Sequence, residues 1–161
     1  MKIKESEMWF LLKFFAVFAA AELLIFYLDF SALQNRIASA AADFFGLWHD
    51  GNMIFVPGGA FEIVSSCTGL VCISILAAII FSLKKPGIAQ KAVIFIAGAA
   101  LLLALNYFRI LLVIFAGKQY GLFAGEIVHV VSWFTTAAFV IGLWYYFTKT
   151  VTGVKSFSGF L

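Results

Sequence analysis

Four long apolar stretches dominate the hydropathy pattern of the chain, at residues 8–28, 67–83, 92–116 and 127–147. An α-helix needs about 20 mostly apolar residues to cross the hydrocarbon core of a bilayer. The pattern therefore predicts an all-α membrane protein with four transmembrane helices, in which residues 1–161 form a single domain. The first stretch contains Glu22 and lacks a small-residue cleavage site, so we expect a retained helix rather than a signal peptide.

The segment 29–66, between the first two stretches, is more polar and is expected to lie outside the membrane. Its first half has apolar residues at helical spacing, which predicts an amphipathic helix in the membrane interface. These apolar positions are Leu33, Ile37, Ala41, Phe44 and Trp48. Its second half, 53–64, has two short apolar runs around Pro57, Gly58 and Gly59, a pattern typical of a small β-hairpin.

The composition supports the membrane assignment, since 64% of the residues are hydrophobic and only 12% are charged. Eight of the nine lysines lie before the first stretch or near its start, around the second loop or after the fourth stretch: Lys2, Lys4, Lys13, Lys84, Lys85, Lys91, Lys149 and Lys155. The other segments contain Lys118 and Arg36 against five acidic residues: Asp29, Asp43, Asp50, Glu62 and Glu126. The positive-inside rule then places both termini in the cytoplasm and segment 29–66 outside the cell membrane. A positive charge divided in this way by membrane side gives no indication of nucleic-acid binding.

Three polar side chains fall at a similar depth in the predicted helices. Cys67 begins the second stretch, Arg109 lies near the outer end of the third, and His129 is in the first turn of the fourth. A helix rises about 1.5 Å per residue, so all three are expected in the outer third of the membrane. We expect them to share one pocket at the outer face.

These residue types suit nucleophilic catalysis. A thiolate is the reactive form of cysteine, and a helix N-terminus capped by Ser65 or Ser66 would stabilise it. Arg109 stays charged and can stabilise a thiolate or an oxyanion, and His129 can transfer a proton near neutral pH.

Four further residues are predicted to support this site. Thr68 and Gly69 follow the cysteine directly. Glu126 precedes His129 by three residues on the same helical face and is placed to orient the imidazole. Asn106 has the same relation to Arg109 and is placed to supply an amide donor.

Several alternatives remain at this stage. Cys72 is predicted to be a small core residue, and its distance of about 8 Å from Cys67 on one helix would prevent a disulfide. No paired cysteine or histidine spacing is present, so no metal and no other cofactor is expected. The chain could instead be a non-enzymatic assembly or binding protein with a structural Arg109–Glu22 pair, or a transporter subunit with Arg109 as an anion site.

The ordered set Cys67-Thr68-Gly69, Asn106-x-x-Arg109 and His129, on consecutive apolar stretches, resembles the exosortase/archaeosortase family of integral-membrane cysteine transpeptidases. The resemblance covers about residues 52–135. It implies that Cys67 attacks a peptide carbonyl to form a thioester. It also implies charge stabilisation by Arg109 and acid–base chemistry by His129.

The resemblance implies a partner as well: a substrate protein whose C-terminal tail holds a recognition motif, a transmembrane helix and a basic cluster. The acyl group would pass to an amine, with a membrane lipid headgroup as a possible acceptor, or to water. Many family members have additional spans or a soluble domain. This sequence is therefore expected to be a short, minimal member.

Overall fold

The computed structural model describes residues 5–153. Within that range the chain forms five α-helices, three short strands and one 3₁₀ turn. In chain order these are α1 (Glu5–Tyr27), α2 (Ser31–Phe45), β1 (His49–Asp50), β2 (Met53–Val56), β3 (Gly59–Glu62), the 3₁₀ turn (Ser65–Thr68), α3 (Leu70–Ser82), α4 (Ile88–Tyr120) and α5 (Leu122–Thr152). Lys2, Lys4 and Lys155, which entered the charge argument, lie outside the described residues.

Three of the helices, α1, α4 and α5, are long and apolar enough to cross a bilayer. The predicted span at 67–83 instead contains α3, a helix of 13 residues. Such a helix is about 20 Å long, which is less than the hydrocarbon thickness of about 30 Å. The mostly helical membrane architecture is therefore confirmed in outline, and the count of four spans is not.

The helices pack as two linked pairs, with α1 on α3 and α5 on α4, while α3 also contacts α4 and α5. A buried cluster joins α3, α4 and α5, formed by Cys72, Leu76, Ile80, Leu83, Ile94, Leu102, Val140 and Trp144. Helix α1 buries none of its residues fully. Large apolar side chains therefore remain exposed along it, as on a helix that faces lipid.

Helix α2 and the sheet cover one end of this bundle. The predicted amphipathic helix forms, but its buried face consists of Ala38, Ala41 and Ala42. Leu33 and Phe44, which were predicted to share the apolar face, are exposed, and Trp48 lies beyond the end of the helix. Small alanines allow α2 to approach the bundle closely, and Ile37, which was predicted on the apolar face, packs against the buried cluster that contains these alanines.

The predicted β-hairpin is confirmed as β2 and β3, which pair antiparallel with Val56 opposite Gly59. A third strand that was not predicted, β1, pairs with the other edge of β2. The ring of Phe61 lies against Gly117 of α4 and Gly125 of α5, where any Cβ atom would collide with it. These two glycines therefore fix the hairpin at the junction of α4 and α5.

Candidate active site

Cys67 lies in the 3₁₀ turn and is buried, with 7% of its surface exposed. The prediction that it begins an α-helix capped by Ser65 or Ser66 is wrong, because α3 begins at Leu70 with Gly69 as its N-cap. Gly69 has a φ of 88°, in the left-handed region that favours glycine, and redirects the chain between the turn and α3. Cys67 therefore lies before the N-terminus of α3, and the free N–H groups of that terminus belong to later residues of the chain.

Hydrogen bonds hold the 3₁₀ turn in place from within the turn and from α2. The Thr68 hydroxyl donates to the Ser65 carbonyl at 2.6 Å. The Gln34 amide of α2 donates to the Ser65 hydroxyl at 2.8 Å. Thr68 therefore stabilises the conformation of the turn that carries Cys67.

Asn106 of α4 contacts the same turn. Its buried amide nitrogen donates to the Cys67 carbonyl at 2.6 Å. A Cβ atom on Gly69 would lie 3.2 Å from the Asn106 Cβ, so a glycine at this position allows the approach. Asn106 is thus an amide donor, as its spacing suggested, and the group that it contacts is the backbone of Cys67.

Replacement of Asn106 by leucine is expected to destabilise the protein by about 1–3 kcal/mol, because the buried Cys67 carbonyl loses its donor. The measurement is the midpoint of thermal unfolding in detergent micelles. A matched control is Thr135→Val, which removes a hydroxyl from the exposed side of α5. Equal midpoints for the two variants would contradict the role of Asn106.

A cavity of about 410 Å³ opens beside the 3₁₀ turn. Its lining includes Cys67 from the turn, Arg109 from α4, and Glu126 and His129 from α5. The structure therefore brings together the three residues that the sequence placed at one depth. The two free cysteines form no disulfide. Cys72 belongs to the buried helix cluster instead of this cavity.

Arg109 is a buried cation, 5% exposed, whose Cζ lies 5.1 Å from the centre of the Trp133 ring. Its Nε has no hydrogen-bond partner within residues 5–153. A guanidinium on the face of an indole gains cation–π stabilisation while its other N–H groups stay available. Arg109 lines a second cavity as well, between α4 and α5.

The alternative Arg109–Glu22 pair does not form. A carboxylate oxygen of Glu22 accepts a hydrogen bond from the Ser74 hydroxyl at 2.6 Å, which links α1 to α3. Glu22 lines a separate cavity on the α1 side of the 3₁₀ turn. Arg109 therefore carries its charge into the cavity without this carboxylate.

His129 is fixed by Trp133, one helical turn further along α5. The indole Nε1 donates to the imidazole Nε2 at 3.1 Å. An imidazole that accepts at Nε2 in its neutral form carries its proton on Nδ1. Glu126, predicted to orient the ring, lines the same cavity from an exposed position, and the hydrogen bond to the imidazole comes from Trp133.

Trp133 is the site residue that the sequence analysis missed. It contacts both the guanidinium of Arg109 and the imidazole of His129. The available signal was its i+4 spacing from His129, which places two helical side chains on one face. In an apolar stretch, however, a tryptophan is most simply interpreted as a core or lipid-facing residue.

Trp133→Phe keeps a ring against Arg109 and frees the Nε2 lone pair of His129, but the imidazole loses the hydrogen bond that holds its orientation. We expect the loss of orientation to outweigh the freed lone pair and to lower activity by about tenfold. The measurement is the turnover of a cleavable substrate at saturating concentration. Trp9→Phe serves as the control, since Trp9 is exposed on α1. Unchanged turnover in Trp133→Phe would show that the indole N–H does not orient the imidazole.

Comparison with known proteins identifies a family. The family model of the transmembrane exosortases matches residues 6–146. That match extends on both sides of the region, residues 52–135, in which the sequence motifs lie. No curated protein and no solved structure matches the chain significantly.

Proposed function

Because the chain belongs to the transmembrane exosortase family, we propose that it is a membrane cysteine transpeptidase with Cys67 as nucleophile. The observation that carries this proposal is the single cavity lined by Cys67, Arg109 and His129. A thiol, a fixed cation and a titratable imidazole are the groups that acyl transfer through a thioester requires.

In the proposed reaction His129 accepts the proton of the Cys67 thiol, and the thiolate attacks a peptide carbonyl of the substrate. Arg109 stabilises the oxyanion of the tetrahedral intermediate. The intermediate collapses when the C–N bond breaks, and His129 returns the proton to the departing amine. The lone pair of Nε2, which accepts from Trp133 in the resting arrangement, becomes available when the indole N–H releases it.

The thioester on Cys67 then reacts with a second nucleophile. An amine, such as that of a membrane lipid headgroup, attacks the carbonyl and frees the thiol, whereas attack by water gives hydrolysis. The proposed substrate is a protein with a C-terminal transmembrane tail, whose scissile bond reaches the cavity just outside the hydrocarbon. The proposed topology requires the short helix α3 to return the chain to the cytoplasmic side, where Lys84 and Lys85 follow it. Both termini are then in the cytoplasm, and this cavity faces the outer side of the cytoplasmic membrane.

Thiol labelling separates the enzyme from a binding or transport protein. We expect iodoacetamide to alkylate Cys67 faster than Cys72 near neutral pH in detergent micelles, because only Cys67 lines the cavity. Arg109→Gln should slow this labelling, since the cation that stabilises the thiolate is lost. Peptide mapping by mass spectrometry measures both rates.

Arg36→Gln is the matched control for the charge change, because Arg36 is exposed on α2. It should leave the labelling rate of Cys67 unchanged. Equal inertness of Cys67 and Cys72 would contradict the enzyme proposal and favour a non-catalytic role for the cavity.

A further inference from the structure

One wall of the active-site cavity is a continuous piece of extended chain. Phe61, Glu62, Ile63 and Val64 all line it, directly before the turn that carries Cys67. Successive side chains of a strand point to opposite faces of its sheet. A cavity that touches four consecutive residues therefore meets the strand along its edge.

This edge is the free edge of the sheet. The strand order is β1-β2-β3, so β2 covers only one side of β3, and no further strand pairs with β3 within residues 5–153. On the covered side the Ile63 N–H donates to the Asn52 carbonyl at 2.8 Å. The cavity therefore lies on the side of β3 that has no partner strand.

The register identifies the backbone groups on the free edge. Ile63 bonds Asn52, and two residues earlier Phe61 is opposite Ile54, so Phe61 also directs its backbone groups toward β2. Antiparallel neighbours exchange hydrogen bonds at every second residue. Ala60, Glu62 and Val64 consequently direct their backbone N–H groups away from β2. The carbonyl of Val64 is already used, since it accepts from the Cys67 N–H at 2.8 Å.

The edge is also rigid. Phe61 is wedged between Gly117 and Gly125, and the Asn52 amide bonds both the Glu62 carboxylate and the Ile63 carbonyl at 3.2 Å. A preorganised edge loses little entropy when a ligand binds. Exposed strand edges bind extended peptides through main-chain hydrogen bonds.

We propose that the free edge formed by Glu62 at the end of β3 and the next two residues, Ile63 and Val64, binds the substrate peptide as an added β-strand and so delivers its carbonyl to Cys67. This inference rests on the proposed function, and it adds the binding mode: an extended main chain, held mainly through its backbone. Side-chain preferences would then come from the cavity walls on α4 and α5. Alternate residues of the peptide would bond the protein, because the strand period is two.

The first test compares two probes with one electrophile. A tetra-alanine chloromethyl ketone and chloroacetone both alkylate a thiolate at the CH₂ carbon with loss of chloride. Two to three main-chain hydrogen bonds should make the peptide probe react with Cys67 about tenfold faster or more. N-methylation of the peptide probe should remove this gain at alternate residues, whose N–H groups bond the protein. It should preserve the gain at the residues between them, so the effect depends on whether the residue number is odd or even (its parity). Equal rates for the two parities, or no gain over chloroacetone, would overturn the proposal.

The second test changes the protein. Val64→Pro removes an outward N–H at a residue whose φ of −92° is close to the range of proline, and it should abolish the peptide gain. Val64→Ala keeps that N–H and should preserve the gain. Ala60→Pro removes an outward N–H beyond the cavity, at an edge position where proline is tolerated, and should also preserve it. If Val64→Pro does not fold, the N-methyl series decides alone.

The two proposals fail in different ways. Rapid, Arg109-dependent alkylation of Cys67 by chloroacetone, without a peptide gain, would retain the transpeptidase and exclude the strand edge. Slow alkylation of Cys67 that is independent of Arg109 would contradict the transpeptidase. If the thiol is unactivated but the peptide probe still reacts faster than chloroacetone, with the odd–even dependence on N-methylation, the edge binds peptides without catalysis.

Discussion

Cys67→Ala is expected to lower the rate at which a membrane-anchored substrate is cleaved by about 10⁴-fold or more, because the reaction loses its nucleophile. The measurement is co-expression with a reporter protein that ends in a transmembrane helix and a basic cluster. Intact-mass analysis would report the shortened reporter and, in the wild type, an acyl adduct on the enzyme.

Cys72→Ala is the matched control, because Cys72 is buried to the same extent on the next helix and belongs to the core cluster. It should remove a thiol without affecting cleavage or the adduct. Cleavage that persists in Cys67→Ala, or that disappears only in Cys72→Ala, would exclude Cys67 as the nucleophile.

Arg109→Gln is expected to lower kcat by about 10²–10³-fold, the usual cost of losing one oxyanion-stabilising group. The reason lies in its environment: Arg109 is buried, lines the cavity beside Cys67, and forms no ion pair among the residues that the structure describes. Arg109→Lys should be intermediate, because an ammonium keeps the charge but not the planar contact with Trp133.

Thermal unfolding distinguishes this role from a structural one. A buried cation without a carboxylate partner is costly to the fold, so its neutral replacement should leave the unfolding midpoint unchanged or raise it. Arg36→Gln, on the exposed face of α2, should leave kcat unchanged. A large fall in the midpoint of Arg109→Gln, with kcat retained in the folded fraction, would assign Arg109 to stability alone.

The candidate site was largely predictable because its residues are costly to place in apolar helices. Arg109 and His129 interrupt long hydrophobic stretches, and such interruptions usually mark a polar cavity. Helical rise then sets their depth along the bundle. What depth could not supply was the lateral arrangement, which the packing of α4 against α5 provides.

The errors have local and tertiary causes. The hydrophobic stretch at 67–83 begins before its helix, because Gly69 adopts a left-handed conformation that hydropathy does not detect. The stripe predicted for α2 is confirmed at Ala41 and Ile37, which contact the bundle. It is wrong at Leu33 and Phe44, which are exposed. Glu22 was considered a partner for Arg109. Because α1 packs on α3, the Glu22 carboxylate accepts a hydrogen bond from Ser74 instead.

The sequence by itself determined the membrane character, the long helices, the hairpin and the candidate residues of the site, because hydropathy, turn propensity and side-chain chemistry are local properties. Only the tertiary structure decided that Trp133 joins Arg109 to His129, that Asn106 holds the Cys67 carbonyl, and that the end of β3 and the two residues after it line the cavity. Those contacts join residues of different elements or depend on the direction of a side chain. Their geometry therefore follows from how helices and strands pack, which no single stretch of sequence encodes.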